Sequence, residues 1–269
     1  MFDEYLSRWA LTPDGDAIVT ASSLLLPVRR NGERAMLKIA VTEEEKIGGR
    51  IMAWWDGHGA AKVLAAMDDA FLLERANGEI GLANLARGGR DEEATNIICG
   101  AVATLHTPRP TSPPKLPALS QWFGDLEKAA ATHGGSFQRA AGIARNLIGD
   151  VREPTVLHGD IHHGNILDFG EAGWLAIDPK GVFGERAFDY ANLFCNPDLS
   201  DPSVSVATIP ARFERRLEIV CAAAGLDQRN LLQWILAWSG LSATWSVSDG
   251  RSPEIALRVG ALAAAALGL

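Results

Sequence analysis

Cysteine is scarce in this chain. Its three cysteines lie far apart in apolar segments, at Cys99, Cys195 and Cys221. An odd number of widely spaced cysteines favours neither a disulfide framework nor a zinc site, so we expect buried thiols in a reducing cytosol. The chain does not open on a basic segment followed by an apolar run and small residues, so we expect no signal peptide and a cytoplasmic location.

Excess positive charge and long apolar runs are also missing. The chain has 25 lysines and arginines against 33 acidic residues, a net charge of -8 at pH 7. Because nucleic acids require a concentrated positive surface, we expect no nucleic-acid partner. The apolar stretch at residues 260–269 is too short to span a bilayer, so we expect no membrane partner. The acidity is compatible with a cationic small-molecule substrate, and the sequence makes no prediction of oligomeric state.

The first part of the chain has the pattern of a small antiparallel sheet. Asn31-Gly32 lies between two apolar runs and predicts a hairpin turn. Apolar residues at helical spacing predict a helix from Glu43 to Trp55, with Thr42 as its N-cap. The predicted strands are residues 17–20, 24–29, 35–41 and 70–73.

The pattern becomes mainly helical after Glu74 to Asn77, which we take as the boundary between two lobes, 1–75 and 76–269. Five of the 13 prolines fall in residues 107–117 and exclude a regular helix there. The predicted fold class is therefore α+β. The predicted helices are residues 91–105, 119–132, 136–151, 188–194, 210–224, 227–246 and 253–267.

The most informative segment runs from His158 to Asn165 and reads H-G-D-I-H-H-G-N, with Asp178 following in Ile-Asp-Pro. An aspartate such as Asp160 can accept the proton of an attacking hydroxyl, while an asparagine amide oxygen and a second carboxylate are hard ligands suited to Mg²⁺. Together these residues predict a phosphoryl-transfer site. The intervening segment predicts a hairpin that returns Asp178 to Asn165, with strands at residues 166–169 and 174–177.

The form H-G-D-x-x-x-x-N, followed by an Ile-Asp pair, resembles the aminoglycoside phosphotransferase branch of the protein-kinase-like fold. Within that branch the chain is most similar to the streptomycin 6-phosphotransferase and hydroxyurea phosphotransferase group. The resemblance implies a bilobal protein-kinase-like fold, ATP and Mg²⁺ as cofactors, and phosphorylation of an aminocyclitol antibiotic such as streptomycin. Four weaker segments support it by their order, Leu25-Leu26-Pro27-Val28, Leu37-Lys38, Trp55-Asp56-Gly57 and Leu72-Leu73-Glu74-Arg75.

The resemblance also implies roles for individual residues. Asp160 is the expected general base, and Asn165 and Asp178 are the expected metal ligands. His158 is expected to order the loop backbone, and Asp189 to brace the loop without contacting substrate.

Lys38 lies in an apolar strand, where an unpaired ammonium group is costly to bury. In a kinase it is expected to contact the α- and β-phosphates while a helix carboxylate holds it. Glu44 shares a helical face with Ile47 and Ile51 and is our predicted partner, with Glu43 and Glu45 as alternatives.

The rest of the nucleotide site is less defined by sequence, because no G-x-G-x-x-G precedes Lys38. Ser22 and Ser23 either help a shorter phosphate loop or are turn residues. We expect adenine to be bound by main-chain groups near Glu74 and Ala76.

The substrate side rests on aromatic and acidic residues near the carboxyl end. Tryptophans at helical spacing are most often core residues. The alternative is that Trp238 or Trp245, with Asp249 or Glu254, borders the substrate cleft. Two other functions stay open, a kinase of an amino-sugar or amino-alcohol metabolite and a catalytically silent nucleotide-binding module.

Overall fold

The computed structural model describes residues 1–269, and its first part is a six-stranded antiparallel sheet. The strands pair in the order β1-β3-β4-β6-β5, and β2 pairs with β3 on the same edge as β1. Helix α1 (Asp3–Arg8) precedes the sheet, and α2 (Glu43–Trp55) follows β4. The strands are β1 (Leu11–Pro13), β2 (Ile18–Val19), β3 (Ser23–Arg30), β4 (Glu33–Ala40), β5 (Val63–Met67) and β6 (Ala70–Glu74).

Local sequence determines the β3–β4 turn and the start of α2. Asn31 and Gly32 both have positive φ, 53° and 86°, as a two-residue hairpin turn requires. The side chain of Thr42 accepts the backbone N–H of Glu45 as the N-cap. The sequence patterns missed α1, β1 and β5, because these short elements have few buried residues and no clear period.

The second part of the chain is mainly helical and contains two short hairpin sheets. Its helices are α3 (Leu82–Arg87), α4 (Asp91–Leu105), α5 (Phe123–His133), α6 (Gly135–Gly149), α7 (Phe188–Ala191), α8 (Pro210–Ala224), α9 (Gln228–Ser248) and α10 (Glu254–Leu267). The sheets pair β7 (Pro154–Leu157) with β10 (Val182–Glu185), and β8 (Ile166–Asp168) with β9 (Trp174–Ala176). No helix combines the length and apolar character needed to cross a membrane.

The predicted helices are present, but two of them differ in form and some elements were not predicted. Helix α3 and the β7–β10 pair were not predicted. The segment predicted as one helix over residues 119–132 begins with a 3-10 turn at Leu119–Gln121. The segment over residues 188–194 is a single α-turn that continues as a 3-10 helix, Asn192–Cys195. The small antiparallel sheet and the helical second part confirm the predicted α+β class.

Helix α2 packs against the helical part of the chain. Its residues Ile51 and Trp55 are fully buried in the large helical core. The Trp55 ring stacks on the His158 ring, with centroids 6.2 Å apart and an interplanar angle of 17°. This contact fixes the helix that follows Lys38 directly beside the loop that carries Asp160.

Candidate active site

Asp189 braces the loop that runs from His158 to Asn165. The Asp189 side chain is 1% exposed, and its carboxylate accepts the backbone N–H of His158 at 2.9 Å and of Gly159 at 2.8 Å. His106 Nε2 lies 2.9 Å from the same carboxylate. A buried carboxylate that accepts several N–H groups fixes the backbone that donates them. Sequence patterns did not identify His106, which lies at the end of α4, 83 positions before Asp189.

His158 links the loop to the strand before Asp178. Its Nδ1 accepts the backbone N–H of Asp160 at 3.2 Å, so Nε2 carries the ring proton and donates to the carbonyl of Ile177 at 2.9 Å. Burial lowers the pKa of His158, which favours the neutral ring. A neutral ring with both nitrogens bonded to the backbone has a structural role here.

Two amide groups hold the Asp160 carboxylate. Asn192 Nδ2 donates to Oδ1 at 2.8 Å, and Asn165 Nδ2 lies 3.2 Å from Oδ2. Asn192 is buried and accepts the amide of Asn196 at 2.9 Å, which fixes its orientation. Both oxygens keep further lone pairs, so an ionised Asp160 can accept a hydroxyl proton in a fixed direction. Asn192 was not predicted, because only the fold brings it to the loop.

Asn165 and Asp178 fit a divalent cation. Asn165 Nδ2 also donates to the Asp160 carbonyl at 2.9 Å, which leaves the Asn165 amide oxygen as a free ligand. The backbone N–H of Ile177 donates to the Asn165 carbonyl at 2.9 Å, so the β8–β9 hairpin brings the two residues to the same end of the hairpin. Asp178 has a left-handed backbone, φ 57°, a strained conformation that occurs often at functional sites. An amide oxygen and a carboxylate are ligands that Mg²⁺ accepts.

Two lysines and two carboxylates form an ion cluster beside this pair. Lys38 Nζ lies 2.6 Å from Asp178 Oδ1 and also contacts the Glu45 carboxylate. Lys180 Nζ lies 2.9 Å from Glu45 Oε1 and 2.9 Å from Asp178 Oδ2. Burial alone would raise the pKa of Asp178, but the two ammonium groups outweigh it and hold that pKa well below its usual value.

The lysine partner is Glu45, so the prediction of Glu44 was wrong by one residue. Glu45 is 2% exposed, whereas the Glu44 side chain is exposed. Helix α2 approaches its neighbours most closely at Gly48 and Gly49, where a Cβ would clash with the Pro179 carbonyl and the Phe71 ring. Glu45 lies one turn before these glycines on the same face. The glycine pair was the signal that could have identified it.

The two serines near β3 have different positions. Ser22 Oγ lies 3.3 Å from Glu45 Oε1, and the Ser22 carbonyl accepts the N–H groups of Val41 and Thr42. Ser23 is bonded to Thr20, whose Oγ1 accepts its backbone N–H at 2.9 Å. Ser23 therefore begins β3 and is held there by Thr20, whereas Ser22 lies at the ion cluster.

The hinge leaves two backbone donors free, the N–H groups of Arg75 and Ala76. Glu74 ends β6 and donates its N–H to the Lys62 carbonyl at 2.9 Å. Asn77 and Gly78 both donate to the Asp168 carbonyl, while the Ala76 N–H has no protein acceptor. Ala76 also adjoins an apolar cluster between the sheet and the β8–β9 hairpin, with half-buried members Met36, Val63, Leu167 and Ile177.

The four residues suggested for the substrate cleft are not brought together. Trp238 is 4% exposed within the helical core, so it does not border a cleft. Burial of α9 on most of its surface, by α5, α6 and α10, is the physical reason. Asp249 pairs with Arg251 at 2.6 Å, and the exposed Glu254 lies 3.9 Å from Arg258. Neither carboxylate makes an ion pair or hydrogen bond with the catalytic loop.

Trp245 is the exception, because only the Trp122 ring separates it from the catalytic loop. It packs edge-on against Trp122, with centroids 5.6 Å apart at 73°. A Cβ on Gly159 would lie only 2.9 Å from the Trp122 ring. The half-buried Trp122 therefore touches the residue before Asp160. Trp122 lies at the 3-10 turn before α5 and belongs to no sequence motif, so it was not predicted.

Comparisons with known proteins agree with this geometry. The chain is 51% identical to streptomycin 3''-kinase of Klebsiella pneumoniae over 91% of this chain and 92% of that protein. It is 29% identical to streptomycin 6-kinase of Streptomyces glaucescens over 93% and 83% of the two chains. The fold matches that of aminoglycoside phosphotransferase APH(4)-Ia in complex with ADP and hygromycin B, with a TM-score of 0.67, 14% identity and 97% of each chain covered.

The family model described as aminoglycoside/hydroxyurea antibiotic resistance kinase matches residues 8–250. That range includes the ion cluster and the whole catalytic loop. The resemblance inferred from the catalytic motif is thereby confirmed. The chain is a phosphotransferase with the protein-kinase-like fold, and it belongs to the aminoglycoside/hydroxyurea antibiotic resistance kinase family.

Proposed function

We propose that this protein transfers the γ-phosphoryl group of ATP to the 3''-hydroxyl of streptomycin. The observation that carries the substrate assignment is the 51% identity to a streptomycin 3''-kinase over nearly all of both chains. Identity to the streptomycin 6-kinases is only 29–30%. The proposal therefore names the 3''-hydroxyl as the acceptor, which the catalytic motif left open.

The catalytic loop supports the chemistry of transfer. Asp160 orients the acceptor hydroxyl and takes its proton while the oxygen attacks the γ-phosphorus. Asn192 and Asn165 hold the carboxylate during this step, so it needs no reorientation. Bound Mg²⁺ would neutralise phosphate charge, with Asn165 and Asp178 as its protein ligands.

The cleft between the sheet and the β8–β9 hairpin suits the nucleotide. The free Ala76 N–H and the apolar cluster beside it provide a donor and a dry surface for adenine, and Lys38 contacts the inner phosphates. Ser22 lies close enough to the ion cluster to contribute a hydroxyl. Because ATP is an intracellular substrate, we propose a cytoplasmic site of action.

The charge of the protein favours a cationic acceptor. The guanidinium groups of streptomycin would be attracted by the net charge of -8 and by Asp160. Trp122, half-buried against Gly159, offers an aromatic face to a cation at the same place. An acidic metabolite would meet repulsion from the same groups.

The test is an ATP-coupled acceptor screen with mass detection, using streptomycin, other aminocyclitols, hydroxyurea, choline, ethanolamine and amino sugars. Tandem mass spectrometry of phosphorylated streptomycin separates its methylamino-sugar ring, which bears the 3''-hydroxyl, from its guanidinylated cyclitol. We expect the added phosphate on the amino-sugar fragment. Asp160→Asn, which preserves side-chain size, is the matched inactive control.

Each other outcome identifies a different function. Phosphate on the cyclitol fragment would contradict the 3'' assignment and would indicate that the acceptor is the 6-hydroxyl. Phosphorylated choline or an amino sugar, without phosphorylated streptomycin, would indicate a metabolite kinase. ATP binding without turnover on any acceptor would indicate the silent module.

A further inference from the structure

Lys180 is a second ammonium group at the metal-binding carboxylate. Its Nζ lies 2.9 Å from Glu45 Oε1 and 2.9 Å from Asp178 Oδ2. Lys38 already contacts both of these carboxylates. Since one lysine is enough to join Glu45 to Asp178, the link between these two carboxylates does not require the second ammonium group.

The backbone at Lys180 is fixed on three sides. Its N–H donates to the His158 carbonyl at 2.8 Å, and the next N–H, of Gly181, lies 3.2 Å from the same oxygen. The Pro179 carbonyl packs so closely on α2 that a Cβ at Gly48 would clash with it. The Lys180 side chain therefore extends from a rigid position between the catalytic loop and α2. Rigid attachment is what a group acting on a reacting atom needs.

The two lysines approach the cluster from different sides. Lys38 belongs to β4, where it pairs with Leu25 of β3 and Phe71 of β6, so its side chain comes from the nucleotide-binding sheet. The Cβ of Lys180 lies 3.5 Å from the position that a Cβ on Gly159 would take. Gly159 immediately precedes Asp160, so Lys180 lies on the side where the acceptor hydroxyl is deprotonated.

The charges in the cluster explain when Lys180 would change partners. Lys38 occupies Oδ1 of Asp178 and Lys180 occupies Oδ2. A carboxylate oxygen that coordinates a metal ion is a weaker acceptor for a lysine. Lys180 then keeps Glu45 but lacks its second anion, and the transferring phosphoryl group is the anion expected between Asp178 and Asp160.

We propose that Lys180 is a catalytic residue whose Nζ binds the γ-phosphoryl group of ATP during transfer, while Lys38 holds the inner phosphates. The acceptor oxygen forms its bond to the γ-phosphorus as the bond to the bridging oxygen of ADP breaks. That electron pair stays on ADP, and the hydroxyl proton moves to Asp160. Lys180 keeps its own proton and stabilises the negative charge on the oxygens of the phosphoryl group during its transfer. The assignment rests on the proposed kinase reaction and does not depend on which hydroxyl is the acceptor.

The experiment compares Lys180→Met with Lys38→Met and with Lys46→Met, a matched lysine on α2 that pairs with Asp69 away from the cluster. Calorimetry measures Kd for ADP and for AMP-PNP in the presence of Mg²⁺, and a coupled assay measures kcat. For Lys180→Met we expect ADP binding within about 3-fold of wild type and AMP-PNP binding roughly 10-fold weaker. We expect kcat to fall by about 10²-fold, with partial recovery in Lys180→Arg.

The controls give different patterns. Lys38→Met should weaken both nucleotides together, and Lys46→Met should weaken neither. Equal weakening of ADP and AMP-PNP by Lys180→Met, or a wild-type kcat in that variant, would overturn the proposal. If Lys180→Met loses cooperative thermal unfolding, Lys180→Gln replaces it with the same expected ratio. Because the binding ratio needs no acceptor, it stands or fails separately from the streptomycin assignment.

Discussion

The two walls of the active-site cleft hold their carboxylates in opposite ways. On the catalytic-loop wall, neutral amides of Asn192 and Asn165 hold Asp160. On the opposite wall, which the ion cluster forms, the ammonium groups of Lys38 and Lys180 hold Asp178 from two sides. Neutral donors fix a direction without removing the charge that accepts a proton. Under the proposed mechanism, cationic donors would exchange partners when a metal ion and phosphates bind, so we expect the first wall to be preorganised and the second to rearrange.

This contrast predicts how substitutions separate. Changes on the catalytic-loop wall should lower kcat and spare nucleotide binding. Changes in the ion cluster should alter both, because in the proposed mechanism the cluster contacts the nucleotide as well as the metal ligand.

The largest expected effect is that of Asp160→Asn. It removes the proton acceptor without changing side-chain size, so kcat should fall by about 10²-fold or more. Nucleotide Kd should stay near its wild-type value, because no lysine contacts Asp160. Steady-state kinetics with calorimetry tests this, and a folded Asp160→Asn protein with wild-type turnover would remove Asp160 from the mechanism.

Asp178→Ala should cost nearly as much, and it has a matched control in Asp168→Ala. Asp168 accepts the Gly170 N–H at 2.8 Å in the hairpin turn and faces no lysine. Loss of Asp178 removes a metal ligand, so kcat should fall by about 10²-fold and half-saturation should need more Mg²⁺. Titration of activity with Mg²⁺ at saturating ATP measures both. Equal, small losses in the two variants would identify Asp178 as the wrong carboxylate.

Asn192→Leu should have an intermediate effect confined to kcat. The variant keeps the branched shape of the side chain but removes the donor to Asp160 Oδ1 and the acceptor of the Asn196 amide, so Asp160 loses its fixed direction. We expect kcat to fall by roughly 10-fold with an unchanged ATP KM. Asn96→Leu, on the exposed face of α4, is the control. A rise in ATP KM without a change in kcat would place Asn192 outside the catalytic-loop wall.

Glu45→Gln and Glu44→Gln test the corrected ion pair. Gln at position 45 leaves Lys38 and Lys180 with one carboxylate between them, so ATP KM should rise by roughly 10-fold. Glu44 makes no ion pair with either lysine, although burial raises its pKa and it lies within electrostatic range of Lys180. Glu44→Gln should therefore change KM by less than about 3-fold. If Glu44→Gln has the larger effect in the same assay, the side-chain arrangement of the cluster is wrong.

The smallest expected effect is on stability against pH. Burial lowers the pKa of His158 and holds that of His163 well below its usual value. The unfolded chain binds protons at these sites below about pH 6.5, so stability is full above that pH and falls as pH drops further, by up to about 1.4 kcal/mol per pH unit for each histidine. His163→Leu should flatten the slope between pH 7 and 5 in chemical denaturation, whereas His133→Gln, exposed at the end of α5, should not. An unchanged slope in His163→Leu would contradict this account.

Local sequence was sufficient for much of the architecture. Contacts between residues close in sequence form the Asn31-Gly32 turn, the Thr42 cap and the hairpin between Asn165 and Asp178. Rules for turns and helix caps predict such local structures well. Short elements without a buried face, such as α1 and β5, carry no period and were missed. The choice between Glu44 and Glu45 depends on which face of α2 approaches Pro179 and Phe71, a contact with distant segments.

The sequence by itself determined the reaction class, because Asp160, Asn165 and Asp178 lie within one loop and hairpin whose spacing the chemistry requires. Only the tertiary structure decided what holds those residues. Asn192 reaches Asp160 from the turn after α7, Lys38 reaches Asp178 across 140 positions, and Lys180 reaches Glu45 across 135. Such contacts produce no recognisable residue spacing in the sequence. They form when separate elements pack together and buried charges must find partners.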